Sequence, residues 1–325
     1  MRAIVQHRFG DPADVLAVED VDLPEPGPGQ VRLRVILSPI HNHDLWTVRG
    51  SYGFVPDLPA RAGTEAVGVV DALGEGVRGF EVGQRVATGG TFGVWAEYVI
   101  ARAGGLMPVP DGLSDEAAAQ LVSMPFSAIS LIDDLGLGAG DWLAQNAANG
   151  AVGRLVAQLA AARGIEVVGL VRRAAGVDEL AAQGIGHIVA TDRADWRDEV
   201  RALTGGAPIR AGVDSVGGSA SGELLSIVAD GGSLVVFGSM ESPVVKVLSG
   251  DVIFRGVTVR GFWASTVAAR MPAEKRNALF GELIAGIASG ALTLPVAGTF
   301  DLADIGTAVA ACAEPGRGGK VLLRP

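Results

Sequence analysis

Between Gln145 and Gly153 the chain reads Gln-Asn-Ala-Ala-Asn-Gly-Ala-Val-Gly, and this stretch restricts the possible folds more than any other. Asp141-Trp142-Leu143-Ala144-Gln145 enters it as a buried strand. After it, Val152, Leu155, Val156 and Leu159 recur at helical spacing. A strand, a turn of small residues and a helix start form a cradle for a pyrophosphate. The N-terminus of a helix carries free backbone N–H groups and partial positive charge, and small side chains let an anion come close. Asn149, Gly150, Ala151, Val152 and Gly153 are the residues expected to make it. The pattern departs from G-x-G-x-x-G at one place, position 148, which is Ala.

The 325 residues suffice, at about 150 per domain, for two domains that each bury a core. A net charge of -10 works against nucleic-acid binding, which needs a basic field to displace phosphate counterions. No run of 18 apolar residues is free of polar interruption, so no membrane span is expected. Met1-Arg2-Ala3-Ile4-Val5 passes directly into a strand pattern, which predicts no targeting segment and a cytoplasmic address. The lone cysteine, Cys312, excludes an internal disulfide and any multi-thiolate metal site, and reads as a small buried apolar residue.

Residues 1 to about 118 read as a compact β domain of short strands and Pro/Gly turns. The expected strands are Ile4-Val5, Val15 to Val21, Val31 to Ile36, Ala66 to Leu73, Arg85 to Ala87 and Ala96 to Ile100. Ser114, with a Glu in the turn after it, is an N-cap that starts the crossing into a second domain. From about 119 to 290, strands alternate with helices. Trp142 to Gln145, Glu166 to Val171, His187 to Ala190, Ala211 to Ser215, Ser233 to Phe237 and Val257 to Gly261 predict a doubly wound parallel sheet covered on both faces. Ligands of such sheets bind at the carboxyl ends of the strands. Residues 291–325 return to short strands around a helix near Ile305 to Ala311 and complete the first domain.

The strand after the cradle decides between nicotinamide cofactors. NAD sites carry an Asp or Glu at its end, whereas a 2'-phosphate calls for arginine. Here Glu166 to Val171 ends in Arg172-Arg173, and the first acidic residue beyond is Asp178. Guanidinium groups grip phosphate through paired charge-assisted hydrogen bonds, which points to NADPH; the alternative is two solvated arginines at a strand end.

Five stretches carry a family resemblance: Ser38-Pro-Ile-His-Asn-His-Asp44, Gly50-Ser-Tyr-Gly-Phe-Val-Pro-Asp-Leu-Pro59, Gln145 to Gly153, Asp214-Ser-Val-Gly-Gly218 and Arg260-Gly-Phe-Trp263. Together they span both domains. The chain resembles zinc-independent members of the medium-chain dehydrogenase/reductase superfamily, among them the trans-2-enoyl-thioester reductases and the quinone oxidoreductases. The resemblance implies a GroES-like β domain joined to a Rossmann domain, an α/β protein overall. It also implies NADPH as cofactor, a homodimer paired through the Val257 to Gly261 edge, and a cofactor groove lined by Val216, Phe237, Gly238 and Phe262.

In related alcohol dehydrogenases an Ile-Cys-x-x-Asp and a Gly-His-Glu segment supply zinc ligands; the same places here hold Ile40-His41-Asn42-His43-Asp44 and Gly63-Thr64-Glu65. Without the thiolate and the second histidine a site of three protein ligands is hard to assemble, so no metal is expected. His41 and His43 read as structural or surface groups. Hydride transfer to a simple ketone then lacks a Lewis acid. A double bond conjugated to a carbonyl is the easier acceptor, needing hydrogen-bond donors at the oxygen and a proton source.

Tyr52 is the candidate acid: a phenol keeps its proton at neutral pH, and the resemblance places this one where enoyl reductases keep an active-site tyrosine. Trp263 is placed by the same likeness at the substrate end of the cleft, with core or interface packing as the equal alternative, and Asn42 beside its mouth. The basic run Arg255, Arg260, Arg270, Lys275 and Arg276 either meets coenzyme A phosphates or is a solvated face. The expected substrate is a small enoyl thioester, with a quinone or free enone as the alternative. A protein that binds NADPH without turnover is the rival of another class.

Overall fold

The computed structural model describes every residue except Pro315. It divides into two compact units, Met1–Met124 with Thr293–Pro325, and Pro125–Leu292.

The first unit opens with β1 (Arg2–Gln6), β2 (Ala17–Asp20), β3 (Gln30–Pro39), β4 (Ala60–Arg61), β5 (Glu65–Leu73), β6 (Arg85–Gly89), β7 (Tyr98–Arg102) and β8 (Leu106–Pro108). Along β3, Val31, Leu33, Val35 and Leu37 are buried while the residues between them are not, the period-two pattern of a sheet with one covered face. Val31, Leu33 and Val35 share a buried cluster with Trp95, which is 0% exposed and whose indole donates to the Pro39 carbonyl at 3.2 Å. Gly63 lies against that ring with φ of 89°, where an added Cβ would fall 2.2 Å from the indole. Only glycine lets the following Thr64 and Glu65 pass there.

The expected strand from Val15 to Val21 is shorter. Asp11 caps a helical turn, α1 (Pro12–Val15), by accepting the Ala13 N–H, and Pro12 supplies the fixed φ suited to its first position. The Ser114 cap starts only the turn α3 (Asp115–Ala118), after α2 (Asn42–Val48), and the chain enters the second unit through α4 (Met124–Leu135).

The second unit holds β9 (Trp142–Gln145), α5 (Ala151–Ala162), β10 (Glu166–Val171), β11 (Ile188–Ala190), β12 (Ile209–Asp214), β13 (Ser233–Val236) and β14 (Thr258–Gly261). They form a parallel sheet in the order β11-β10-β9-β12-β13-β14. The strand order reverses between β9 and β12. Leu143, Ala144, Val168, Val213 and Leu234 are fully or nearly fully buried, as strands covered on both faces require. The chain then returns to the first unit with β15 (Val296–Asp301) and β16 (Lys320–Arg324). β16 pairs antiparallel with β3 and carries Lys320 at its start.

Candidate active site

In the second unit, α5 starts where the sequence places it, with Gly150 as an N-cap whose side makes no cap of its own. The first N–H groups of the helix therefore have no intrahelical partner. Ala147 adopts a left-handed φ of 49°, and a Cβ on Gly153 would lie 2.7 Å from the carbonyl oxygens of both Ala147 and Ala148. The turn is as tight as a backbone cradle for phosphate demands, and its residues fit a dinucleotide. Ala148, the departure from the glycine pattern, is accommodated by its neighbour. Gly169 on β10 faces it, and a Cβ there would meet the Ala148 methyl at 2.8 Å. Arg172 and Arg173 follow β10, both exposed, with no guanidinium ion pair among the described residues.

Across the point where strand order reverses, Asn146 holds the ends of β9 and β12 together. Its Nδ2 donates to Asp214 Oδ1 at 2.6 Å and its Oδ1 accepts the Ser215 N–H at 2.7 Å. The buried Asp214 carboxylate also accepts from the Val216 and Gly217 N–H groups and from Ser221 Oγ. Phe237 and Gly238 donate their N–H groups to the Asp214 carbonyl, and the Phe237 and Phe262 rings stack with centroids 6.0 Å apart. The structure thus brings Val216, Phe237, Gly238 and Phe262 together at the carboxyl ends of β12 to β14. Trp263 follows β14 as the N-cap of the helix Ala264–Arg270 and is 50% exposed. The basic run is largely spent on ion pairs: Arg255 with Asp230 and Asp251, Arg260 with Asp134, and Lys275 with Asp133.

In the first unit the sequence underrated a buried polar cluster. His41 ends the loop before α2; its N–H donates to Asp44 Oδ2 at 2.9 Å, which fixes the first turn. Its ring is buried, and Nε2 lies 2.6 Å from Glu65 Oε2. The other Glu65 oxygen accepts the backbone N–H groups of Val122 and Ser123 at 2.6 and 2.8 Å. His43 Nε2 meets Thr64 Oγ1 at 2.8 Å, and Thr64 donates to Asp44 Oδ1 at 2.6 Å. The His43 ring stacks on His41 at 4.9 Å and on Tyr52 at 5.7 Å. Tyr52 itself is half-buried, while Asn42, the first residue of α2, is exposed.

Burial governs the charges here. It pushes the Glu65 carboxyl up to about 7 against the opposing pull of the Ser123 and Val122 N–H groups. It pushes His41 well below its ordinary value, helped by the positive charge of Lys320. Lys320, buried at the start of β16, is lowered to about 8 by burial and by Arg317, with Asp44 and Glu65 acting the other way. Lys320 carried no signal in the sequence, since strand-end lysines are ordinarily solvated. Glu65 carried one: an acidic residue inside an apolar strand start, Thr64-Glu65-Ala66-Val67, needs buried partners.

Two family models match the chain, one described as an alcohol dehydrogenase GroES-like domain over residues 27–111 and one as a zinc-binding dehydrogenase over residues 151–279. The mitochondrial enoyl-[acyl-carrier-protein] reductases of Bos taurus and Homo sapiens are each 32% identical, over 99% of this chain and 88% of theirs. The chain belongs to the medium-chain dehydrogenase/reductase superfamily. Among solved structures, a Pseudomonas syringae quinone oxidoreductase is similar with a TM-score of 0.90 and 28% identity, covering 100% of this chain and 99% of that one. A mycobacterial protein complexed with NADPH matches with a TM-score of 0.88 and 28% identity over 100% of both chains. The superfamily includes zinc enzymes, but the donors here do not suit that ion. Glu65 engages His41 Nε2, a hydroxyl stands at Thr64, and among the described residues no group of three His, Cys, Asp or Glu is placed to hold a metal.

Proposed function

We propose that the chain is an NADPH-dependent reductase of a carbon-carbon double bond conjugated to a carbonyl, most closely a 2-enoyl thioester. The full-length likeness to enoyl reductases supports the reaction class, and one observation carries the acid-base half. The only loop tyrosine of the first unit, Tyr52, stacks on the hydrogen-bonded histidine of a buried polar cluster. NADPH, when bound, supplies hydride to the β carbon. The chain's own part begins at the cradle, where Asn149 to Val152 offer backbone N–H groups to the pyrophosphate and Gly153 keeps the turn close. Arg172 and Arg173 meet the 2'-phosphate, while Val216, Phe237, Gly238 and Phe262 line the groove. Tyr52 donates its hydroxyl proton as charge gathers on the thioester enolate, and Asn42 in the first unit and Trp263 in the second are each assigned to substrate binding.

Quinone reduction is the second reading, favoured by the likeness to quinone oxidoreductases and by the ion pairs that occupy three of the five basic residues suited to coenzyme A. Oxidation of NADPH and of NADH, each with crotonyl-CoA and with 1,4-benzoquinone, separates the readings. With crotonyl-CoA, NADPH is expected to be faster than NADH by at least about tenfold, the scale of one lost phosphate–guanidinium contact, and the thioester is expected to be reduced faster than the quinone. A response to the quinone alone overturns the thioester assignment, and cofactor binding with no turnover on either acceptor supports a sensor.

We also propose a cytoplasmic homodimer joined along β14. That strand is one edge of the sheet, and Leu248, Ile253 and Phe254, shortly before it in the chain, are 73%, 67% and 84% exposed. No helix among the described residues is long and apolar enough to cross a membrane. Gel filtration at micromolar concentration should give twice the chain mass; elution as a monomer rejects the dimer.

A further inference from the structure

We propose that His43 is a positioning residue that holds Tyr52 and returns its proton after each turnover, an inference that rests on the proton-donor role given to Tyr52 above. The hydrogen-bond chain behind it allows one arrangement of hydrogens. The Asp44 carboxylate only accepts: Oδ2 takes the His41 N–H and Oδ1 takes the Thr64 hydroxyl hydrogen. Thr64 has then spent its one hydrogen, so its oxygen must accept at 2.8 Å from His43 Nε2. That locks His43 as the Nε2–H tautomer and leaves the lone pair of Nδ1 open. The alternative tautomer would set two acceptors against each other at that distance.

The imidazole so held has both Tyr52 and His41 stacked against it and keeps 19% of its side chain in solvent. Around it stand Asp44 on its own helix, Thr64 just before β5 and Glu65 at its start, while Lys320 on β16 acts on the neighbouring His41. Asp44 Oδ1 lies 3.5 Å from His43 Nε2. Reduction consumes one solvent proton per turnover. The Tyr52 O–H bond breaks as its proton goes to the α carbon, leaving a phenolate. A solvent proton bonds to His43 Nδ1 and is handed on through solvent to the phenolate oxygen, which restores the phenol and the neutral imidazole. No other bond changes, and Thr64 and Asp44 keep Nε2–H throughout.

Two measurements test this. Long-range proton–nitrogen NMR of the protein without cofactor reads the tautomer directly; there are four histidines, and His43→Gln assigns the signal. His43 should be the Nε2–H form, lose that preference in Thr64→Val and keep it in Thr64→Ser. In turnover, Thr64→Val and His43→Phe should each lower kcat by on the order of tenfold or more, with the acceptor KM within about twofold, and raise the solvent deuterium isotope effect on kcat. Thr64→Ser should restore both. His43→Phe retains a ring to stack but has no nitrogen, so parent kcat in that variant would reduce His43 to packing and overturn the proposal. An Nδ1–H tautomer overturns it as well. If the parent reduces neither acceptor, the reductase reading fails while the tautomer result still stands or falls by itself.

Discussion

Tyr52→Phe is expected to lower kcat with crotonyl-CoA by roughly 10²- to 10⁴-fold, the usual contribution of a placed general acid, and to leave the NADPH Kd within about twofold. The substitution removes one oxygen and retains the ring, so the stack on His43 at 5.7 Å survives and the loop Arg49 to Gly53 keeps its packing. What disappears is a proton deliverable to the α carbon and a donor toward the enolate oxygen. Both act on charge absent from the ground state, so the loss falls on kcat rather than on substrate binding. Stopped-flow oxidation of NADPH, with a fluorescence titration of cofactor binding, checks the two halves separately. A kcat within threefold of the parent would make Tyr52 a packing residue.

Glu65→Ala should be the most destabilising single change in the first unit, by about 3–5 kcal/mol in denaturant unfolding. The carboxyl group is fully buried, accepts the Val122 and Ser123 N–H groups, and shares a third hydrogen bond with His41 Nε2. Its removal leaves those donors unpartnered in an interior closed to water. Glu65→Gln keeps one acceptor oxygen for the backbone pair and should cost far less. Both variants also lose a pH response that the parent has. The folded carboxyl sits at about 7 against an ordinary 4.5, so between those values the folded state holds the proton more firmly than the unfolded one. Its contribution to stability is then largest at low pH and is lost as pH rises through 7, by roughly 3 kcal/mol in all. Lys320 has the mirror form: lowered to about 8 from 10.5, it costs stability below 8 and recovers it as pH rises toward 10.5. Unfolding midpoints at pH 5.5 and 7.5 should differ more in the parent than in Glu65→Gln. An equal difference in both would mean that Glu65 does not titrate in that window.

Local chemistry made the Rossmann unit legible. Glu166–Val171 and Trp142–Gln145 stand where apolar runs bounded by turn residues put them, and α5 begins at the first residue after Gly150. A parallel strand buried on both faces writes itself as a continuous apolar word. The β unit was less legible because its decisive pairings are distant in sequence: Lys320 lies next to β3 only through the β16 pairing, and Glu65 meets Val122 57 residues away. His41 and His43 showed their spacing but not their partners. Nothing in Ile-His-Asn-His-Asp announces that one ring will face Glu65 and the other Thr64; those contacts depend on Gly63 yielding to Trp95. The helical turn α1 takes Val15, which the apolar run up to Val21 had placed in a strand.

The alanine in the phosphate turn changes what a fingerprint of this kind means. Ala148 fits because Gly169, on the neighbouring strand, yields the volume of one methyl group. The glycine rule is therefore a rule about shared space, and it can be satisfied from either side of the contact. Gly169→Ala alone crowds its methyl against both Ala148 and Ile188 Cδ1, 2.8 and 2.5 Å away, whereas trading the two residues, Ala148→Gly with Gly169→Ala, relieves the first contact and leaves only the end of the Ile188 side chain to shift. Chains that scatter their small residues across adjacent strands in this way will escape searches that look for glycines at fixed intervals within a single loop, although the surface they offer to an anion is the same.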